Sequence, residues 1–333
     1  MKNGAGMVLS VLDLANVREG GTVAESFRNT VMLAQHAEKW GYRRFWLAEH
    51  HNMPGIASAA TSILIGHVAG VTKTIRVGSG GIMLPNHAPL VIAEQFGTLA
   101  TLYPDRIDLG LGRAVGGDQL VAHVMGRDPR AGDRFPQLVQ DLIRYLGPVS
   151  AQQRIQAVPG GGTQVPIWLL GSSTFSAHLA ATMGLPFAFA GQFAPQMMFE
   201  AIGLYREYFT PSATLEKPYV MIGLPVLAAD TDEQAELLAN SARQRILRLI
   251  RGQPIYTPPP IPSMDGLWNP EEQRSVQAHL GAAIIGSPAT VERKLREFHQ
   301  QTLADEFILH SDCYQLEDRL HSYEIVAGLF LNK

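Results

Sequence analysis

The amino-acid sequence predicts an α/β fold in which eight short strands alternate with helices, the arrangement of a (β/α)8 TIM barrel. The strand candidates are apolar along their whole length, as strands covered on both faces are. Helical patterns lie between them, which is typical of parallel βαβ units. Eight is the number of strands that closes a barrel, and this favours the barrel over the competing doubly wound sheet.

The strand candidates recur along the whole chain as short apolar runs bounded by polar residues or turn formers. They lie at residues 7–12, 43–47, 75–82, 105–111, 165–170, 186–190, 219–228 and 305–310. Apolar residues at spacings of three and four predict helices between them, at 92–103, 135–146, 235–242 and 316–327. Thr231-x-x-Gln234 precedes the third of these helices as a capping box.

Length and composition bound the class of protein. The 333 residues fit two ordinary domains or one large barrel, and we expect a single barrel domain over residues 1–333. The net charge of −3 argues against nucleic acid or an anionic membrane as a main partner. A single cysteine, Cys313, excludes a disulfide within the chain. With no signal-peptide pattern and no apolar run long enough to span a membrane, we expect a cytoplasmic protein.

One segment breaks the alternation of strands and helices. Residues 253–270 carry six prolines and lie between the seventh and eighth strand candidates. Proline continues neither a helix nor a central strand, so this segment predicts an insertion before the last strand. Long loops in compact domains are often functional, and two interpretations stay open, a lid over a pocket and a plain surface insertion.

Polar and glycine-rich residues follow four successive strands. Glu49-His50-His51 comes directly after the second strand, Gly80-Gly81 lies in the third, Gly112-Arg113 ends the fourth and Leu170-Gly171-Ser172-Ser173 ends the fifth. In a barrel, active sites lie at the carboxyl ends of the strands. All four groups are therefore expected on one face, and this convergence is stronger evidence than any single group.

The two adjacent histidines predict acid–base chemistry rather than a metal site. His50 and His51 are consecutive, so in an extended segment their side chains point in opposite directions and cannot share one metal ion. Imidazole exchanges protons near neutral pH, which makes each a candidate donor or base at a pocket floor. A loop histidine bonded to the backbone is the alternative for each.

The fourth and fifth strands end in a pattern that suits an anion. Small residues at 171–174, followed by Ser176, begin a helix whose free N–H groups can bind phosphate, although they can also be simple caps. Arg113 supplies a positive charge nearby. Gly110-x-Gly112-x-x-x-Gly116 matches the dinucleotide fingerprint poorly. Gly80-Gly81 inside a strand indicates either a bulge or the close approach of a flat ring.

Three long stretches carry a family resemblance. WLAEHHNMPGIASAATS at 46–62, residues 77–113 and IWLLGSSTFSAHLAATMGLPFAFAGQFAP at 167–195 resemble the bacterial luciferase-like monooxygenases, particularly their stand-alone members. The resemblance covers essentially the whole chain. It implies a barrel that binds reduced FMN, delivered by a separate NAD(P)H-dependent flavin reductase. Oxygen then adds at flavin C4a to give a peroxide that oxygenates an organic substrate.

The resemblance also implies roles for individual residues. His50 matches the family's important histidine, Arg113 its phosphate-binding arginine, and Gly80-Gly81 a small-residue pair that often forms a cis peptide beneath the flavin. Gly171-Ser172-Ser173, with Leu170 before it and Ser176 after it, matches the phosphate loop. Met83, Phe189 and Phe193 are expected apolar walls. Gly112 replaces the reactive cysteine of the light-emitting subunit, so luminescence from long-chain aldehyde is not expected.

The expected partners are a small apolar substrate, O2, a transiently bound reductase and a second copy of the chain in a homodimer. Two alternatives stay open beside the monooxygenase. One is an oxidoreductase that transfers hydride with a flavin or the deazaflavin F420, and the other is a flavin-binding protein without turnover. Oxygen-dependent product formation separates the first alternative from the monooxygenase.

Overall fold

The computed structural model describes residues 7–128 and 130–331, and its centre is a closed barrel of eight parallel strands. The strands of the barrel are β1 (Val8–Asp13), β2 (Arg44–Leu47), β3 (Arg76–Met83), β4 (Ile107–Gly112), β5 (Ile167–Gly171), β6 (Phe187–Phe189), β7 (Val220–Ala228) and β9 (Glu306–His310). Neighbours pair in chain order, and β9 closes the ring between β7 and β1. The predicted barrel is therefore confirmed, and the doubly wound sheet is excluded.

Helices surround the barrel in the order expected for βα units. They are α1 (Val23–Lys39), α2 (Thr61–Val71), α3 (Pro89–Leu102), α4 (Gln119–Val124), α5 (Phe135–Leu146), α6 (Thr174–Met183), α7 (Met198–Glu207), α8 (Asp232–Ile250), α9 (Pro270–His279), α10 (Pro288–Thr302) and α11 (Leu316–Phe330). The Thr231 side chain caps α8 by accepting from the backbone N–H of Gln234, as the capping-box pattern predicts.

A ninth strand, β8 (Ile284–Gly286), lies outside the ring and was not predicted. It pairs in parallel with the end of β7, where Val226 faces Ile284 and Ala228 faces Gly286. Its pairing with β7 is what identifies this short segment as a strand. Together with α9 and the proline-rich segment, it builds the insertion expected before the last barrel strand.

Apolar side chains fill the interior of the barrel, and charged side chains lie at one end of it. Trp46, Trp168 and Met221 are among the buried side chains that fill it. Below them, at the amino ends of the strands, Arg44 binds both Asp108 and Glu306, with distances of 2.7 and 3.0 Å. This network closes the amino end of the barrel, so the carboxyl end is the one that carries cavities.

The proline-rich segment crosses the carboxyl end of the barrel and is hydrogen-bonded to its loops. The N–H of Ile255 donates to Pro54 O, and the N–H of Thr257 donates to Val17 O, at 2.9 and 3.0 Å. On its other side, the Asn240 side chain of α8 donates to Ile261 O at 2.7 Å. Among the described residues, no helix combines the length and the apolar character needed to span a membrane.

Candidate active site

Two adjoining cavities open at the carboxyl ends of the strands. The first, called here the mouth cavity, has a volume of about 250 Å³. All eight residues predicted from sequence to bind a cofactor line it, namely Gly80, Gly81, Arg113, Leu170, Gly171, Ser172, Ser173 and Ser176. The expected apolar walls Met83, Phe189 and Phe193 line it as well. Residues that lie up to 113 positions apart in the chain are thus brought to one site by four neighbouring strands.

The backbone of β3 forms the floor of the mouth cavity at Gly80-Gly81. The peptide bond between these residues is cis. The pairing of β3 with β4 shifts register between Ser79 and Ile82, so the bulge indicated by the sequence is present. A Cβ on Gly81 would lie 2.7 Å from Gly110 O. Packing against β4 therefore demands glycine here, and the backbone of β3 lines the cavity at this point.

The opposite side of the mouth cavity is suited to an anion. Helix α6 begins there at the N-cap residue Ser173, and its first turn receives no side-chain cap. The guanidinium of Arg113 lies 4.1 Å from the centre of the Phe175 ring. No carboxylate of the described residues lies within ion-pair distance of Arg113, so its charge is not neutralised. The helix N-terminus and Arg113 together fit a phosphate group.

His50 lines the cavity that adjoins the mouth cavity, and it is not among the residues that line the mouth cavity itself. Its backbone N–H donates to Ser58 O at 2.9 Å, and this hydrogen bond fixes the loop after β2. The ring atom Nδ1 is buried and has no hydrogen-bond partner among the described residues. Burial, with a contribution from the positive charge of Arg245, lowers the pKa of His50 to about 4. His50 is therefore a neutral imidazole at neutral pH.

His51 points away from both cavities, as its position next to His50 predicts. Its Nε2 lies 2.8 Å from Oε1 of Glu49, which His87 also binds, at 2.9 Å. The backbone N–H of Met83 donates to the second oxygen of Glu49. Burial opposes ionisation of Glu49, but the hydrogen bonds from His87, His51 and Met83 outweigh it and lower the pKa of Glu49. The cluster fastens the loop that carries His50 to the end of β3.

The second cavity, called here the α8 cavity, adjoins the first and has a volume of about 150 Å³. The two share Leu12, Gly80, Gln192 and Phe193. Its polar lining includes His50, Arg245 and Asp312, and most of the rest is apolar. Sequence reasoning missed Gln192, Arg245 and Asp312, because they lie on helices or loops whose positions only the fold determines. The buried Oε1 of Gln192 has no hydrogen-bond partner in the described part of the chain.

The arrangement offers a glycine backbone and an anion site around the mouth cavity, and a neutral imidazole in the wall of the adjoining, mostly apolar cavity. Within residues 7–128 and 130–331, no group of three or more histidine, cysteine, aspartate or glutamate side chains is arranged to hold a metal ion. The residues present fit a flat, phosphorylated cofactor. The imidazole and the α8 cavity would lie beside its ring, where a second molecule can be accommodated.

Comparison with known proteins gives a consistent picture. The model of the family described as luciferase-like monooxygenase matches residues 7–306. A protein of Escherichia coli named luciferase-like monooxygenase is 50% identical over 324 residues, which cover 97% of each chain. The N-acetyl-S-alkylcysteine monooxygenase of Bacillus subtilis is 30% identical over 97% of this chain and 98% of its own. The crystal structure of apo-MsnO8 has a TM-score of 0.86 and 33% identity, and covers 98% of both chains.

More distant solved structures share the fold, and their descriptions name different cofactors. The oxygenating constituent of 3,6-diketocamphane monooxygenase from Pseudomonas putida, in complex with FMN, has a TM-score of 0.75 at 18% identity over 97% of both chains. The coenzyme F420-dependent tetrahydromethanopterin reductase of Methanopyrus kandleri has a TM-score of 0.66 at 14% identity, over 98% of this chain and 100% of its own. The fold thus accommodates both kinds of ring system in other proteins.

Proposed function

Since the chain belongs to the luciferase-like monooxygenase family, we propose that it uses reduced FMN and O2 to insert one oxygen atom into a small apolar organic substrate. Bound reduced flavin supplies the electrons that activate oxygen. The observation that carries the proposal is the mouth cavity, where the backbone of Gly80-Gly81 and an anion site line one space. A flavin ring and a terminal phosphate need these two features.

The roles of the residues follow from their positions. The backbone of Gly80-Gly81 supports the ring, and Arg113 with Ser172, Ser173, Ser176 and the first turn of α6 holds the phosphate. Leu170 and Gly171 complete the wall between them. The uncommitted charge of Arg113 makes it the main source of selectivity for a phosphorylated flavin over riboflavin.

His50 acts as the proton-handling residue in this proposal. Its imidazole lines the α8 cavity, is neutral at neutral pH and has no hydrogen-bond partner for Nδ1 among the described residues. It can therefore accept a hydrogen bond from a protonated group at the reacting centre and relay the proton, away from bulk water. His51 is a positioning residue, since its bond to Glu49 holds the His50 loop rather than reaching the cavity.

A separate NAD(P)H-dependent reductase supplies the reduced flavin. The glycine pattern at 110–116 departs from the dinucleotide fingerprint, and the anion site described here suits one phosphate group. The chain therefore takes flavin that another protein has already reduced.

The test measures cofactor binding and oxygen transfer separately. Reduced FMN, reduced riboflavin and reduced F420 are titrated into the protein without oxygen, and binding is measured by calorimetry. The FMN complex is then mixed with 18O2 and a panel of apolar substrates, and products are analysed by mass spectrometry. We expect FMN to bind best and one 18O atom to enter the product. Tighter binding of F420, with a product that has gained or lost hydride and no 18O, would instead establish the hydride-transfer alternative.

A further inference from the structure

The lining of the α8 cavity indicates which class of substrate the protein takes. This inference rests on the proposed function only for where the reacting end of the substrate lies. We propose that the α8 cavity is the substrate site, and that the Arg245–Asp312 ion pair in its wall makes it select uncharged molecules and reject carboxylates. Its boundary with the mouth cavity, at Gly80 and Gln192, would hold the reacting end of the substrate.

The first argument is charge. The lining contains one arginine, Arg245, and one acidic residue, Asp312, and no lysine. Nη1 of Arg245 lies 2.5 Å from Oδ1 of Asp312, and both side chains are largely buried. The Arg245 Nε also donates to Ile255 O at 3.0 Å. The arginine is therefore committed to two partners of the protein itself, and no cation of the lining is left to bind a substrate anion.

Asp312 is held in its ionised form by several donors. Besides Arg245, the Asn16 side chain donates to Oδ1 at 2.5 Å, and Nε2 of His310 lies 3.2 Å from it. Burial raises the cost of ionisation, but the positive charge of Arg245 outweighs it and holds the pKa of Asp312 far below its usual range. A carboxylate entering the cavity would find no arginine or lysine free to pair with it, because the one guanidinium of the lining is already bound to Asp312, and burial of an unpaired charge in a site of low dielectric is costly.

The charged groups that other elements place near the Arg245–Asp312 pair do not add a free positive charge to the α8 cavity. Arg319 of α11 is paired with Asp13 of β1, at 2.8 Å, so this second arginine is neutralised as well. His50 is neutral at neutral pH. The mouth cavity differs sharply, because Arg113 there has no carboxylate partner among the described residues. One cavity is therefore built for an anion and the adjoining one for a neutral molecule.

The second argument is the apolar wall. Ala239, Ala242, Ile246 and Leu249 lie on one face of α8 at spacings of three and four, and all line the cavity. Ile255 and Leu280 of the insertion line it too. Ala242 is small and stands one turn before Arg245, so it leaves space beside the ion pair. A larger side chain at this position would fill the space that an apolar substrate needs.

The binding test uses the protein without flavin, so that it is independent of the proposed reaction. Octan-1-ol, octanoate and octylammonium have the same chain and differ in charge, and each is titrated by calorimetry at neutral pH. We expect octan-1-ol to bind at least about tenfold more tightly than either ion, because a buried unpaired charge is strongly disfavoured. Octanoate binding as tightly as octan-1-ol overturns the proposal.

Asp312→Asn tests the role of the ion pair directly. The substitution leaves Arg245 with an unneutralised charge, so we expect affinity for octanoate to rise by about tenfold or more and the preference to reverse. Asp230→Asn is the matched control, since Asp230 is exposed and pairs with His321 at the surface. An Asp312→Asn protein that is folded by circular dichroism and still rejects octanoate contradicts the proposal.

Ala242→Phe provides a test that does not disturb a buried charge. We expect it to weaken octan-1-ol binding by about tenfold or more, whereas Leu237→Phe, at an exposed position of α8, should leave binding unchanged. Unchanged binding in folded Ala242→Phe places the ligand elsewhere and refutes the location. Wild-type protein that binds octan-1-ol but not reduced FMN would count against the proposed function alone. Wild-type protein that binds reduced FMN but not octan-1-ol would count against this inference alone.

Discussion

His50 is the residue on which the proposed chemistry depends, and its surroundings predict a separation of binding from turnover. Because His50 lines the α8 cavity and not the mouth cavity, His50→Ala should change the affinity for reduced FMN less than about threefold. Oxygenation should fall by about 100-fold or more, since general acid–base groups typically contribute that much. Anaerobic titration and 18O incorporation measure the two effects. Normal turnover in the variant would end the assignment.

The buried neutral state of His50 also predicts how stability depends on pH. Its pKa in the folded protein is about 4, against 6.5 in an unfolded chain, so the unfolded state binds the proton first as the pH falls. This contribution to stability is constant above pH 6.5 and is lost between pH 6.5 and about 4. Over that range, the free energy of unfolding of His50→Gln should therefore fall by on the order of 2 kcal/mol less than that of the wild-type protein.

Urea unfolding at several pH values measures this difference. His67→Gln, at an exposed position of α2, is the matched control and should follow the wild-type curve. Parallel curves for His50→Gln and wild type would show that His50 is protonated in the folded protein as readily as in the unfolded chain.

Arg113 predicts a different pattern from His50. Its guanidinium has no carboxylate partner in the described part of the chain, so Arg113→Gln removes an attractive charge without leaving a buried partner unpaired. We expect affinity for reduced FMN to fall by about tenfold or more while affinity for riboflavin, which lacks the phosphate, stays nearly constant. Equal losses for both ligands would mean that Arg113 does not bind the phosphate.

At the scale of elements, the proline-rich segment packs closely against Gly55 in the loop after β2. Gly55 has φ of +109°, and a Cβ there would lie 2.3 Å from Ile255 O. Gly55→Ala should therefore loosen residues 253–270 and expose the amides of Ile255 and Thr257, which bond to Pro54 and Val17. Hydrogen exchange of these amides should accelerate by about tenfold or more.

The control for this substitution is Gly41→Ala. Gly41 also has a positive φ, of +86°, but a Cβ there meets nothing within 4 Å. It tests backbone strain without the contact. If both variants accelerate exchange in the segment equally, the contact with Ile255 does not hold it. Loosening confined to Gly55→Ala would also support the interpretation of residues 253–270 as a lid, which stays a prediction.

The elements also show how far the sequence could predict the site. Strand ends are local features, so the residues at 50, 80–81, 113 and 170–176 could be placed on one face from the barrel rule alone. The α8 cavity could not be predicted in that way. Arg245 and Asp312 lie 67 positions apart on a helix and a loop, and their pairing depends on how the insertion packs. Periodicity reveals that α8 has an apolar face, but not that part of this face borders a cavity.

At the scale of the whole molecule, the barrel is closed at its amino end by the Arg44 network and open at the other. This polarity explains why every predicted site residue other than His51 meets a cavity at the carboxyl end. The sequence predicts this only once the strands are known to be parallel, because parallel strands place all their carboxyl ends together. The buried network of Arg44, Asp108 and Glu306 was not predicted, since its charges are distant in sequence.

The outer surface of the molecule bears on the predicted homodimer. Ile63 of α2 is 72% exposed and Leu102 of α3 is 63% exposed, and Val71 and Val91 on the same two helices are also exposed. Large exposed apolar residues on adjacent helices are typical of a contact surface.

We therefore expect a homodimer that buries α2 and α3. Ile63→Asp should raise the dissociation constant of this dimer by about 100-fold or more, since the substitution buries an unpaired charge. Sedimentation velocity measures this, with Leu237→Asp on exposed α8 as the control. A wild-type protein that sediments as a monomer at micromolar concentration, or a dimer that Ile63→Asp leaves intact, would show that this face is not the interface.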